Sequence, residues 1–171
     1  MLEVIREVDA PAERVWDVLS DGWSYAGWVV GASRMRAVDA TWPAAGAKLH
    51  HSAGLWPVVL NDETVVKESD PGRRLVLLAR GRPFGEAVIE FLLEPDGDRP
   101  GRTTVRLRED AVSGPGRLVP APVRQVLIGG RNTETLRRLA YLAEGRNDPT
   151  DGAGPDAGTR ESLAKSKIEE A

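Results

Sequence analysis

The chain has 171 residues, a length that suits one domain of about 150 residues with its own buried core. Its 23 Lys and Arg are outnumbered by 26 Asp and Glu, so the net charge is -3 and no overall positive field draws it to nucleic acid. With no cysteine it can build no disulfide framework, thiolate zinc site, iron–sulfur cluster or cysteine nucleophile.

Residues 2–9, LEVIREVD, mix β-branched and charged positions as a half-exposed strand does. Those early charges also break up the apolar run that a secretory leader needs, and no stretch approaches the ~20 apolar residues of a membrane span, so a cytoplasmic protein without a transmembrane segment is expected. Asp9 is a candidate N-cap, with Pro11 at the start of a helix that carries Val15, Trp16 and Leu19 at helical spacing. The stop Ser20-Asp21-Gly22 separates it from a second short helix holding Trp23, Tyr25, Ala26 and Trp28.

After Gly31 six strand-like segments follow: SRMRAVDA, AKLHHSA, VVLNDETVVKE, RRLVLLARG, FGEAVIEFLLE and TTVRLRED. Connections as short as Asp70-Pro71-Gly72 and Asp96-Gly97 join only antiparallel neighbours, since a parallel crossover needs a dozen residues or more. A Pro/Gly-rich hinge, SGPGRLVPAP, then leads into a long helix whose stripe is Ile128, Asn132, Leu136, Leu139 and Ala143. Residues 1–146 are expected to form the domain. Residues 147–171, nearly devoid of large apolar groups, are expected to be a disordered polar tail that truncation after Arg146 removes without lowering stability.

This order is similar to that of the START-like, or helix-grip (SRPBCC), superfamily, and within it to the polyketide cyclase/dehydrase and lipid-transport branch. The resemblance is carried by VDAPAERVWDVLSD at 8–21, the Trp-rich segment to Trp28, PGRRLVLLARG at 71–81 and RNTETLRRLAYLAEGR at 131–146. It implies an α+β fold in which a curved antiparallel sheet wraps around the C-terminal helix and encloses a cavity, in members that bind lipids, shuttle quinones or cyclise polyketides. Pro11, Val15, Trp16 and Leu19 carry over as packing positions only.

Phase along the elements supplies the candidate site. Glu109 shares a face with Val105 and Leu107, so either the strand has ended and it reaches solvent, or it is a groove carboxylate in need of a partner. Asn132 interrupts the apolar helix stripe, where its amide satisfies either the sheet backbone or a ligand, and Arg131 beside it can reach an acid at the cavity rim. By the same phase Glu109 and Asn132 face each other across the interior. His50 and His51 are adjacent in a strand and point to opposite faces, which argues against a two-histidine metal site; one of them faces the groove, as an acid–base group or as a hydrogen-bonded structural residue. Core packing accounts for most of the tryptophans, with Trp28 and Trp56 expected at the cavity together with Phe84, Ile89 and Phe91.

No GxGxxG after a strand, GxxxxGK[ST], HExxH or GxSxG occurs, so no cofactor and no metal are expected. The function expected is binding of a small hydrophobic or amphipathic molecule of lipid, polyketide or aromatic type. One alternative is a cofactor-free cyclase or dehydratase using a groove histidine and Glu109; another is an interaction domain whose groove takes a partner peptide or helix.

Overall fold

The structure is a computed structural model that describes residues 1–55, 58–81, 85–114 and 120–145. Trp56, Phe84 and the tail expected at 147–171 lie outside the described residues. Strand β1 (Leu2–Val8) is followed by helix α1 (Ala12–Ser20), a 3-10 turn (Gly22–Ser24) and the single-turn helix α2 (Tyr25–Trp28). Six strands come next, β2 (Ala32–Val38), β3 (Lys48–Leu55), β4 (Val58–Asp70), β5 (Arg74–Gly81), β6 (Gly85–Pro95) and β7 (Thr103–Ser113), and helix α3 (Ala121–Gly145) closes the domain.

The six strands form the expected meander, and β1 adds itself antiparallel to β7, giving one open sheet in the order β1-β7-β6-β5-β4-β3-β2. Register shifts in β2, β4 and β7 bend the sheet where an unpaired residue enters the ladder. Beside the β7 shift Gly85 of β6 has φ +116°, and a Cβ there would lie 2.0 Å from the Ser113 carbonyl oxygen, so only glycine fits. A second close approach occurs at buried Gly22, where a Cβ would meet Leu49 and Val38 side chains at 2.7 Å.

The concave face carries the core. Val105 and Leu107 of β7, Phe91 and Leu93 of β6, Leu75 and Leu77 of β5, Val66 of β4 and Leu49 of β3 are all buried. Over the β1–β7 edge lies α3, packed on β1, α1 and α2, with Leu136, Leu139, Ala140 and Ala143 fully buried. That is the stripe expected from the sequence, now in contact with the Val15, Val18 and Leu19 face of α1 in the same cluster.

One local expectation is corrected. Asp9 does not cap α1: the N-cap is extended Pro11, whose carbonyl accepts from Arg14 and Val15, while Asp9 pairs through its carboxylate with Arg102 and donates its N–H to Glu144. An ion pair and a main-chain tie to the end of α3 outcompete the cap. The residue that does cap is Asp21, which accepts from the Trp23 and Ser24 amides and so both ends α1 and starts the next turn.

Candidate ligand pocket

Between the concave face, α2 and α3 lies a partly open pocket of about 140 Å³. Its floor follows from strand register. Leu77, Ile89 and Glu109 are paired in sequence across β5, β6 and β7, and Leu75, Phe91 and Leu107 form the next rung. Leu77, Ile89, Phe91 and Leu107 line the cavity, Val29 to Ala32 form one rim, and Arg131, Asn132 and Thr135 come down from α3. Thr135 also accepts the Val30 amide through its hydroxyl at 3.2 Å, tying the rim to the helix.

Behind the α3 wall Glu109 is 6% exposed. Strand β7 runs on to Ser113, four residues past it, so the reading in which Glu109 escapes to solvent at a strand end is overturned. Its Oε2 accepts from Asn132 Nδ2 at 2.8 Å and from the Arg131 guanidinium, which also donates to Asn132 Oδ1 at 3.1 and 3.2 Å. Strand and helix phase therefore do bring Glu109 and Asn132 face to face. Glu109 is not among the lining residues: Arg131 and Asn132 stand in front of it, and their polar atoms are aimed largely at one another and at the carboxylate.

A second polar cluster forms the opposite wall. Of the two histidines, His51 turns inward and is buried, whereas half-exposed His50 points away. His51 Nε2 lies 3.0 Å from Thr64 Oγ1, which in turn lies 3.4 Å from the Tyr25 hydroxyl, and the two rings are 5.5 Å apart. Burial holds the His51 imidazole below the ordinary histidine value, opposed by Asp62 and assisted by Arg36 and His50. Its Nδ1 has no partner that meets hydrogen-bond geometry among the described residues, the Ser52 main chain being a looser hydrogen-bonding contact that favours the protonated ring. Burial likewise raises the Tyr25 phenol above its usual value, against the hydrogen bond with Thr64.

Trp28, expected at the cavity, instead fills the core at 1% exposure, edge-on to Phe91 and Tyr25 with centroids 5.7 and 5.3 Å away. A one-turn helix facing a sheet buries its largest ring completely. The expectation that core packing explains the other tryptophans fails for Trp23, which is 62% exposed, and holds in part for Trp42, whose Nε1 donates to the Leu19 carbonyl at 3.2 Å. Tyr25 and Thr135 line the pocket and Thr64 links Tyr25 to His51, yet sequence reasoning assigned none of them a place at the cavity. A signal existed in β4, where Asp62 and Thr64 keep the inward parity of Val66. Among the described residues no cluster of three His, Asp or Glu side chains could hold a metal ion, and no helix is long and apolar enough to cross a membrane.

Similarity to known proteins agrees with this architecture. The solved structures it resembles include the Zhui aromatase/cyclase from Streptomyces sp. R1128, with 20% identity over 89% of this chain and 98% of that one and a TM-score of 0.64. A START superfamily protein from Mycobacterium smegmatis matches at 22% identity, 85% and 94% coverage and a TM-score of 0.59. At such identities the likeness is one of fold. Among curated proteins no sequence matches the chain. The family model described as polyketide cyclase / dehydrase and lipid transport matches residues 2–144, nearly the whole of the described domain, and the chain belongs to that family.

Proposed function

We propose that the chain binds a small hydrophobic or amphipathic molecule, of lipid, polyketide or aromatic type, in the pocket between the sheet and α3. The observation that carries this is the pocket's composition: an apolar floor from β5, β6 and β7, with polar groups converging from α2, β3 and α3. A dry apolar cavity near 150 Å³ accepts a benzene-sized guest, so about 140 Å³ suits one ring or a short acyl segment. Ile89, Phe91, Arg131 and Asn132 are the proposed contacts, joined by Tyr25, His51 and Thr135. Native mass spectrometry of gently purified protein should show an adduct of a few hundred daltons or less, or accept one when small aromatic ketones are added. Repeated absence of any hydrophobic adduct, co-purified or added, would remove the reading.

A cofactor-free cyclase or dehydratase is the second reading, favoured by the chain His51–Thr64–Tyr25. Held below its ordinary value, His51 is an unprotonated base near pH 7. It would take a proton from the carbon beside a ligand carbonyl and return it to a departing hydroxyl, so that water leaves. In this reading Glu109 supports Arg131 and Asn132 and exchanges no protons. The test is turnover of a small β-hydroxy ketone: His51→Gln should abolish it, and equal turnover by the variant would dismiss the mechanism.

A further inference from the structure

Resting on the ligand-binding reading above, we infer that the pocket selects an electrically neutral molecule, whose polar end is a carbonyl or hydroxyl, over a carboxylate of the same shape. Arg131 and Arg80, the charged residues that line the cavity, are each held by carboxylates, and behind the His51 wall Asp62 and Arg36 act in opposite senses. At one wall the Arg131 guanidinium is held by Glu109, a carboxylate whose side chain is 5% exposed. Toward the other, buried Asp62 lies beside Arg36, whose guanidinium donates to the Asp62 and His51 carbonyls at 3.4 and 3.5 Å. Arg80 also lines the pocket, at its rim; its side chain alternates to the convex side of β5 relative to Leu77 and Ala79, and its guanidinium is engaged there by Glu63 and Glu86.

The two polar side chains on the pocket wall register this balance. Tyr25 feels Arg131 and Glu109 in opposite senses, and His51 feels Asp62 and Arg36 in opposite senses. A carboxylate entering such a site gives up its hydration and finds its natural counter-ion already neutralised, which is the costly case of burying a charge. A carbonyl or hydroxyl asks only for one or two hydrogen bonds, and the Tyr25 hydroxyl on the pocket wall is the group placed to provide one.

Acetophenone and benzoate share a ring and a carbonyl and differ in charge, so titrating each into the full chain at about pH 7.5 by calorimetry separates the cases. Acetophenone should bind at least about tenfold more tightly. Glu109→Gln, which leaves Arg131 uncompensated, should strengthen benzoate binding by about tenfold while changing acetophenone by less than about threefold. Should that variant not fold, Arg131→Gln leaves Glu109 uncompensated instead and should weaken benzoate further with little effect on acetophenone. Benzoate binding as tightly as acetophenone to the unaltered chain, or unchanged benzoate affinity in a folded Glu109→Gln protein, overturns the inference and leaves ligand binding standing. If neither probe binds, the ligand-binding reading falls and the inference with it.

Discussion

On the convex face of the sheet, Glu3, Arg108, Glu90, Arg74 and Glu68 form a ladder of alternating charge across β1, β7, β6, β5 and β4, with Arg108 2.7 Å from Glu3 and Arg74 2.6 Å from Glu90. On the concave face one pair of the same chemistry, Glu109 with Arg131, sits among Leu107, Ile89 and Leu136 and needs Asn132 to complete it. The residue types match, and their surroundings do not. Water screens the ladder, so each pair contributes little; the concave carboxylate has given up its hydration and depends on the partners it is given. Ion pairing on the outside links neighbouring strands at the surface, whereas on the inside it fixes the geometry of a pocket wall.

The sharpest way to break the contrast is Glu109→Ala. It leaves Asn132 Nδ2 without its acceptor and Arg131 without its counter-ion; because Arg131 is 39% exposed and water takes over part of the lost interaction, the expected loss is about 2 to 3 kcal/mol. Chemical denaturation would measure it, and a change within about 0.5 kcal/mol, the ordinary range for surface substitutions, would place Glu109 energetically with the ladder. Next comes Asn132→Leu. Since the amide donates to Glu109 and accepts from Arg131, its removal should cost about 1 to 3 kcal/mol, the range for stranding a buried hydrogen-bonding group. A stability equal to or above that of the unaltered protein would mean that the amide serves a ligand and not the wall.

Acid sharpens the comparison differently. His51 has a lower proton affinity in the folded chain than in the unfolded one, so below the ordinary histidine value near 6.5 the unfolded state binds more protons. Stability should therefore fall as pH drops from about 7 through 6.5 and continue falling until the folded imidazole itself protonates. Comparing denaturation at about pH 7.5 and 5.5, the decline should be shallower in His51→Gln; equal slopes in both proteins would show that His51 does not carry the effect. The smallest change is expected on the ladder, where Arg108→Ala should leave the denaturation midpoint nearly unmoved, and raised salt should shrink any difference further.

Much of the fold was readable in the sequence because it rests on local signals. Alternation located the strands, short Pro/Gly turns required antiparallel neighbours, and phase alone aimed Glu109 and Asn132 at each other. What stayed hidden depends on contacts between distant segments. Strand β7 continues past Asp110 because β6 pairs with it as far as Ser113, which no property of TTVRLRED announces. Trp28 packs inward because Phe91, more than sixty positions later, supplies its edge contact, and the link from Tyr25 to Thr64 spans 39 positions. Asp9 looked like a cap until Arg102 and Glu144 arrived from the far side of the sheet and the end of α3.

The central claim, a binding pocket held between the concave face and α3, is tested most directly by mapping amide chemical shifts while acetophenone is titrated into the labelled chain. The account predicts saturable changes concentrated at Tyr25, Val29 to Ala32, His51, Leu77, Ile89 and Thr135, with the convex ladder silent. Saturable binding that perturbs the ladder strands or the exposed face of α3 around Tyr141, and leaves those positions unmoved, would contradict it.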